Sequence, residues 1–228
     1  IPHGSIVIWI KIVDSAVVKK TPRCIHVFDV VDTWACTKKT DVPKCDAYVV
    51  NNLEMARQLG QKKSFVIPHH WDPDLAGRIE AQPADRASFG FMGSLYSLRH
   101  TANLLHAEKL ARLDELGLCA VETEEARVVQ RDEMLGIIRG SAGEPKVSRQ
   151  PMKNLPRVPF NVHLSVRAEG TPEFLYKTSA KVVTAAALGH NIVTTREPSV
   201  MEVLPRDYPF LLADSRWDTL VNMIGRVE

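Results

Sequence analysis

Apolar residues arrive in short runs along this chain. "SIVIWIKIV" (5–13), "CIHVFDVV" (24–31), "AYVVN" (47–51) and "SFVIP" (64–68) are rich in β-branched residues and mostly do not alternate with polar ones. Strands buried on both faces read this way. Between the last two runs, "NLEMARQLG" has helical spacing and closes on Gly60. Repeated strand–helix–strand order predicts a parallel α/β sheet.

Residues 69–86, "HHWDPDLAGRIEAQPADR", are polar with two prolines and read as a linker. A second series then begins. "ASFGFMG" (87–93) reads as a strand, "SLRHTANLLHAEKLARLDELG" as a helix stopped by Gly117, "LCAVE" (118–122) as a strand and "EEARVVQRDEMLGIIRG" as a helix. "EPKVSRQPMKNLPRVP" reads as loop, with three prolines after Pro145. "FNVHLSV" (160–166) alternates cleanly and reads as a strand, and "RWDTLVNMIGRVE" closes the chain as a helix. The pattern predicts an α/β protein of two Rossmann-like domains with parallel sheets. Their spans are 1–75, small or incomplete, and 76–228.

Composition narrows the function classes. Hydrophobic residues make up 45% of the 228, enough for a real core, and the net charge of +2 gives no bulk attraction to nucleic acid or an anionic membrane. Any positive site must therefore be local. The longest apolar run is broken by Lys11 and falls short of a membrane span. Cys24, Cys36, Cys45 and Cys119 match no zinc or redox spacing, which suits free thiols in a reducing, cytoplasmic setting, with peripheral membrane attachment left open. The opening "IPHGS" lacks an initiator Met and enters a strand almost at once, which suggests a truncated or processed start.

The densest candidate chemistry lies in "FNVHLSVRAEGTPEFLYKTSAKVVTAAALGHNIVTT" (160–195), which reads strand, loop, helix, strand. The loop is expected from Arg167 to Tyr176. The helix is expected to start with Lys177, capped by Thr178 or Ser179, and to end at Gly189. Ligands of open α/β sheets bind beyond the carboxyl ends of the strands. Lys177 and Lys181, four apart on one helix face, would meet Arg167 and the helix N-terminus there, a set that suits a diphosphate. The alternative is a solvated lysine pair. "FMGSLYSLRH" (91–100) is a second strand–Gly–helix turn, in which Gly93 and Ser94 would let a phosphate approach.

Other features point less far. Asp29 and Asp32 of "FDVVDTW" sit at a strand end, where one could act as a general base or simply cap a turn. Asp72 and Asp74 of "WDPD" form a D-x-D, but in a linker around Pro73, a poor context for a metal. His69 and His70 are adjacent and diverge on an extended chain. His163 reads as a strand-face residue, and Trp34 and Trp71 as core or sugar-stacking rings.

These segments together resemble the GT-B glycosyltransferases of the glycosyl-transferase group 1 kind. "YKTSAKVVTAAALGHNIVTT" is similar to the K-P-x-x-K-x-x-x-A-x-x-x-G-x-P-V-I segment of some members, with Lys177, Lys181, Ala185 and Gly189 on the pattern and Thr178 and Asn191 in place of its prolines. "FMGSLYS" resembles the turn that opens the donor domain. "CDAYVVNNLEMARQLG…FVIPHHWDP" resembles the end of the acceptor domain. Two positions depart: where the family carries E-x₇-E, this chain has Tyr176 and Thr184.

The resemblance implies a nucleotide-sugar-dependent, hexosyltransferase-like enzyme of carbohydrate biosynthesis. It would move a sugar from a nucleotide-diphosphate sugar to a saccharide or other hydroxyl acceptor, without a metal or other cofactor. It implies donor contacts from Gly93, Ser94, Arg167, Tyr176, Lys177, Ser179, Lys181 and Glu202, the last facing ribose or sugar, and acceptor activation by Asp29 or Asp32. No nucleic-acid partner is expected, and the few strands of the first half would leave an open edge that invites self-association. A sugar-nucleotide epimerase of the same fold and a non-catalytic nucleotide- or phosphate-binding module are the alternative readings.

Overall fold

The computed structural model describes residues 1–10, 12–30, 42–60, 62–68, 87–92, 119–123, 147–150, 160–178 and 180–227. Their contacts divide the chain into two compact units. The first comprises Ile1–His69, Gly170–Ser179 and Glu197–Pro205, and the second His70–Glu169, Ala180–Arg196 and Arg206–Glu228.

The first unit is built on β1 (Ile6–Ile10), β2 (Ile25–Asp29), β3 (Ala47–Val50) and β4 (Ser64–Val66). They pair in parallel in the order β1-β2-β3-β4. The register sets Trp9 beside Phe28, Phe28 beside Tyr48 and Tyr48 beside Ser64. Phe28, Tyr48 and Val50 line one side of the sheet, and helix α2 (Leu53–Leu59) lays Met55 and Leu59 into the same cluster. The other side is different. Ile6, Ile8 and Ile10 alternate with Val7 and Trp9 along β1, and all three are about two-thirds exposed (65%, 64% and 64%). Among the described residues, cover on both faces, which the unalternating run predicts, is therefore present on one face of β1 only. Helix α1 (Ser15–Lys20) is capped by the Asp14 carboxylate, which accepts from the Ala16 and Val17 N–H groups.

The second sheet contains β5 (Phe89–Met92), β6 (Cys119–Thr123), β7 (Val147–Gln150), β8 (Val162–Ser165) and β9 (Asn191–Thr194). Its order is β7-β6-β5-β8-β9, all parallel. Strand β7 falls within the proline-rich stretch expected as loop. Its pairing with β6, from Ala120↔Val147 to Thr123↔Gln150, overrides the local composition. The two long helices expected after β5 and β6 lie outside the described residues. Helix α6 (Trp217–Val227) closes the chain as its periodicity predicts, burying Leu220 and Ile224.

The segment between β8 and β9 differs from its expectation. A short helix, α3 (Pro172–Tyr176), stands where a loop is expected. Thr171 caps it by accepting from the Phe174 N–H, and Pro172, which lacks an N–H, fits its first turn. The next helix, α4, runs only over Ala180–Ala187. Lys177 is extended (φ −76°, ψ 133°), so the two lysines do not share a helix. The cause is visible in the hydrogen bonds. The Tyr176 carbonyl accepts from Asn52 Nδ2 at 2.9 Å and the Lys177 carbonyl from Ser199 Oγ at 3.0 Å. These are the carbonyls that residues 180 and 181 would need to continue a helix backwards.

Candidate functional site

The second sheet reverses its winding once. From β5 the chain moves outward through β6 and β7, then returns to the other flank of β5 with β8 and β9. The switch point therefore lies between β5 and β8, and the crevice at their carboxyl ends is where open α/β sheets take ligands.

Two expected cations mark that edge. Arg167 follows β8 by two residues and is almost buried, at 9% exposure. Its N–H donates to Thr195 Oγ1 at 3.2 Å, and the Thr195 hydroxyl donates back to the Arg167 carbonyl at 3.4 Å. The segments leaving β8 and β9 are thus fastened together. Lys181, in the first turn of α4, carries its Nζ over the ring of Phe91, 4.7 Å from the centroid. Phe91 is the penultimate residue of β5, so the ammonium stands at the carboxyl half of the strand across the switch point from Arg167. A cation over an aromatic face gains about 0.5–2 kcal/mol and is held in place.

Toward the amino end of β8 and β9 sits a histidine pair that the sequence does not single out as a pair. His163 is fully buried in β8, as a strand-face residue should be, and its Nε2 lies 3.1 Å from Nδ1 of His190. Burial, the neighbouring His190 and the Lys181 charge together lower its pKa from 6.5 to about 3, so the ring is neutral at physiological pH. Burial also lowers the pKa of His190. Nδ1 of His163 and Oγ of Ser165, two residues apart on one side of β8, have no hydrogen-bond partner. Buried polar groups without partners are uncommon and call for an explanation.

The remaining expected residues fall in the first unit or outside the described residues. Tyr176 packs in the cluster of Phe28, Tyr48 and Met55. Lys177 ends α3 in that unit, whereas Arg167 and Lys181 belong to the other. Glu202 follows α5 (Pro198–Met201), and its Oε1 accepts from the Leu53 N–H at 2.8 Å. That carboxylate complements the N-terminus of α2, beside the Asn52 cap. Asp29 is the last residue of β2, beside Ile10 and Val49 and half-buried. Gly93, Ser94, Ser179 and Asp32 lie outside the described residues, as do His69, His70, Trp34, Trp71 and the Asp72/Asp74 pair. Sequence reasoning missed Glu197, a fully buried carboxylate that starts α5. Its only signal is its place three residues after β9, at a carboxyl edge.

Among the described residues, no group of three or more His, Cys, Asp or Glu side chains could hold a metal ion, and no helix is long and apolar enough to cross a membrane. No protein-family model matches the chain, and no curated protein matches it in sequence.

Solved structures do match. A glycosyltransferase from Rickettsia africae ESF-5 aligns over 98% of this chain and 66% of its own, with a TM-score of 0.65 at 10% identity. The pneumococcal O-GlcNAc transferase GtfA, solved with UDP and GlcNAc, aligns over 97% of this chain and 48% of its own, with a TM-score of 0.58 at 12% identity. A mutant of Staphylococcus aureus TarM, solved with fondaparinux, α-GlcNAc-glycerol and UDP, aligns over 90% of this chain and 43% of its own, with a TM-score of 0.54 at 11% identity. The chain thus spans about two thirds of the first structure's length and about half of the second's. At such identities the likeness speaks for the fold: two Rossmann-like parallel sheets of the GT-B kind, as in these glycosyltransferases.

Proposed function

We propose that this chain carries the donor site of a glycosyltransferase that takes a sugar from a nucleoside-diphosphate sugar and gives it to a hydroxyl acceptor. The carrying observation is that Arg167 and Lys181 flank the switch point of the second sheet, at its carboxyl edge. The fold shared with glycosyltransferases, two of them solved with UDP, supports the same reading.

The chemistry follows from charge. When the bond between the anomeric carbon and the diphosphate oxygen breaks, negative charge grows on the leaving diphosphate. Fixed cations aimed at that point stabilise the transition state more than the ground state. Arg167 and Lys181 would do this without a metal, because a guanidinium and an ammonium supply the charge a divalent ion otherwise brings. The acceptor hydroxyl needs a base, for which Asp29 at the end of β2 and Asp32 beyond it are the candidates. Buried His163 is too weak a base for that task, since its pKa lies near 3.

Calorimetric titration with nucleoside diphosphates and their sugars tests this reading. At least one nucleoside diphosphate should bind, and Arg167→Ala and Lys181→Ala should each weaken it by about 1.5–3 kcal/mol, the scale of a charge-assisted bond. Lys177→Ala in the same titration tests the third cation expected from the sequence, with a loss of the same size. Binding should survive excess chelator. The reading fails if no nucleoside diphosphate binds or if the variants bind as the parent does. Loss on chelation, restored by manganese, would overturn metal independence.

A further inference from the structure

The net charge of +2 conceals an uneven distribution within the first unit. Four of its carboxylates stand at the carboxyl edge of the first sheet. Asp14 caps the start of α1, Asp29 ends β2, Glu54 lies in the first turn of α2 and Glu202 meets the start of that helix. Cations gather at the opposite, amino edge. Lys19 and Lys20 fill the last turn of α1, Arg23 precedes β2, Lys44 precedes β3, and Lys62 and Lys63 lead into β4. Among the described residues of that edge, Asp46 is the one carboxylate, and it accepts from the His26 N–H at 2.7 Å.

Main-chain hydrogen bonds hold these segments side by side. The Gly4 N–H donates to the Arg23 carbonyl at 3.0 Å, the Asp46 N–H to the His26 carbonyl at 2.8 Å and the Tyr48 N–H to the Lys63 carbonyl at 2.9 Å. From β2 to β4 is two steps of about 4.8 Å, so Arg23, Lys44 and Lys63 form a row about 10 Å long. The end of α1 adjoins the row, because Thr21 Oγ1 lies 3.1 Å from Nε2 of His26. Five of the six cations are exposed and Lys62 is half-buried. Among the described residues, none of the six forms an ion pair. The row is no longer than the Debye length of about 10 Å at 0.1 M salt, so these charges repel one another and act on a partner together.

Three features favour lipid over other anions. Basic clusters of about four to eight residues are of the size that anionic headgroups hold. Five of the six are lysines, flexible point charges, whereas the arginine fork is the device for nucleic acid. Large apolar side chains also border the charges. Ile25 at the start of β2 and Phe65 in β4 are each half exposed, and Lys63 carries its Nζ over the Phe65 ring, 5.6 Å from the centroid. Interfacial binding divides in this way: apolar groups enter the headgroup region while lysine stems lie along them and keep their ammonium groups at the charged surface. A soluble polyanion gains nothing from an isoleucine.

We propose that the amino edge of the first sheet, through Lys19, Lys20, Arg23, Lys44, Lys62 and Lys63, docks on an anionic lipid bilayer. The strands then run away from the membrane, and their carboxyl ends face the solution. The inference stands on the first sheet alone and does not depend on the proposed activity.

Flotation of Ile1–Glu228 with phosphatidylcholine vesicles, with and without phosphatidylglycerol, tests this. The chain should float with the mixed vesicles and not with phosphatidylcholine alone. Each basic residue near such a surface is worth about fivefold in partitioning. Lys20→Gln, Arg23→Gln and Lys44→Gln together should therefore lower it on the order of a hundredfold. These three side chains are exposed and make no hydrogen bond, so the far-ultraviolet circular dichroism should not change. Arg196→Gln, Arg206→Gln and Arg226→Gln, exposed residues of the second unit, remove the same charge and should alter partitioning less than about twofold. Ile25→Ser should weaken it at least about threefold. The proposal is overturned if the chain floats with neither vesicle or equally with both, if the two triple variants lose binding alike, or if Ile25→Ser partitions as the parent does. It is also overturned if single-stranded RNA or polyglutamate binds the chain at least as tightly as the mixed vesicles, which would assign the edge to a nucleic acid or an acidic protein.

Discussion

At Gly90 a single missing methyl group decides the packing. A Cβ there would fall inside the ring of Phe160, which is itself buried. Gly90→Ala should therefore cost about 1–3 kcal/mol in urea unfolding, the scale of an overpacked core. In a Phe160→Ala background the same substitution should cost far less, and equal costs in both backgrounds would place the strain elsewhere. His163 offers a second test at this scale. Above pH 6.5 its ring is neutral whether the chain is folded or not. Below that, the unfolded chain takes up a proton that the folded ring refuses until about pH 3, so stability falls as pH drops through this window. The groups that set this behaviour are burial, His190 across the hydrogen bond and Lys181. Between pH 7 and pH 5 the loss should approach about 2 kcal/mol. His163→Gln should flatten that slope in urea titrations at the two pH values, and an unchanged slope would assign the effect to other groups. The glycine was visible in the sequence as a residue inside a strand. Its cause was not, because Phe160 lies seventy positions away.

Among the elements, α2 was legible and the break between α3 and α4 was not. "NLEMARQLG" carries its own cap, its periodicity and a stop at Gly60, whose φ of 68° suits glycine. The break depends instead on Asn52 and Ser199 taking the Tyr176 and Lys177 carbonyls, partners 124 and 22 residues distant. Asn52 serves both elements at once. Its Oδ1 caps α2 at the Met55 N–H while its Nδ2 ties down the end of α3, and the side chain is fully buried. Asn52→Ala should cost about 2–3 kcal/mol, a lost cap plus an unpaired buried carbonyl. Asn52→Asp keeps the acceptor for α2 but loses the donor to Tyr176, so it should recover only part of that loss. Full recovery in denaturant titrations would show that the α3 bond contributes nothing. Strand β7 was illegible for a related reason: the prolines and charges around it describe a loop, and only its partner β6 makes it a strand.

For the molecule as a whole, the two-sheet α/β plan was legible because short β-branched apolar runs recur with helical spacing between them, the order that parallel strands and their crossovers need. The arginine and lysine at the second sheet's switch point were also within reach, through the rule that loops after such strands meet ligands. The sharing of the 160–205 stretch between the two units was not, since no local pattern tells Tyr176 to pack with Phe28.

That sharing has a consequence for how the chain is made. Synthesis delivers Ile1–His69 complete, yet Tyr176 and the Glu202 carboxylate on α2 belong to the same unit and emerge more than a hundred residues later. Until then the nascent first unit lacks one wall of its core, and contacts of such long sequence separation are slow to form. A chain stopped at residue 69 should keep helical and strand signals in far-ultraviolet circular dichroism but lack sharp near-ultraviolet bands, whereas a chain extended to residue 205 should gain them. Sharp bands from the short chain would show that the first unit matures unaided. If they are absent, the growing chain carries an unfinished, aggregation-prone core until Tyr176 emerges.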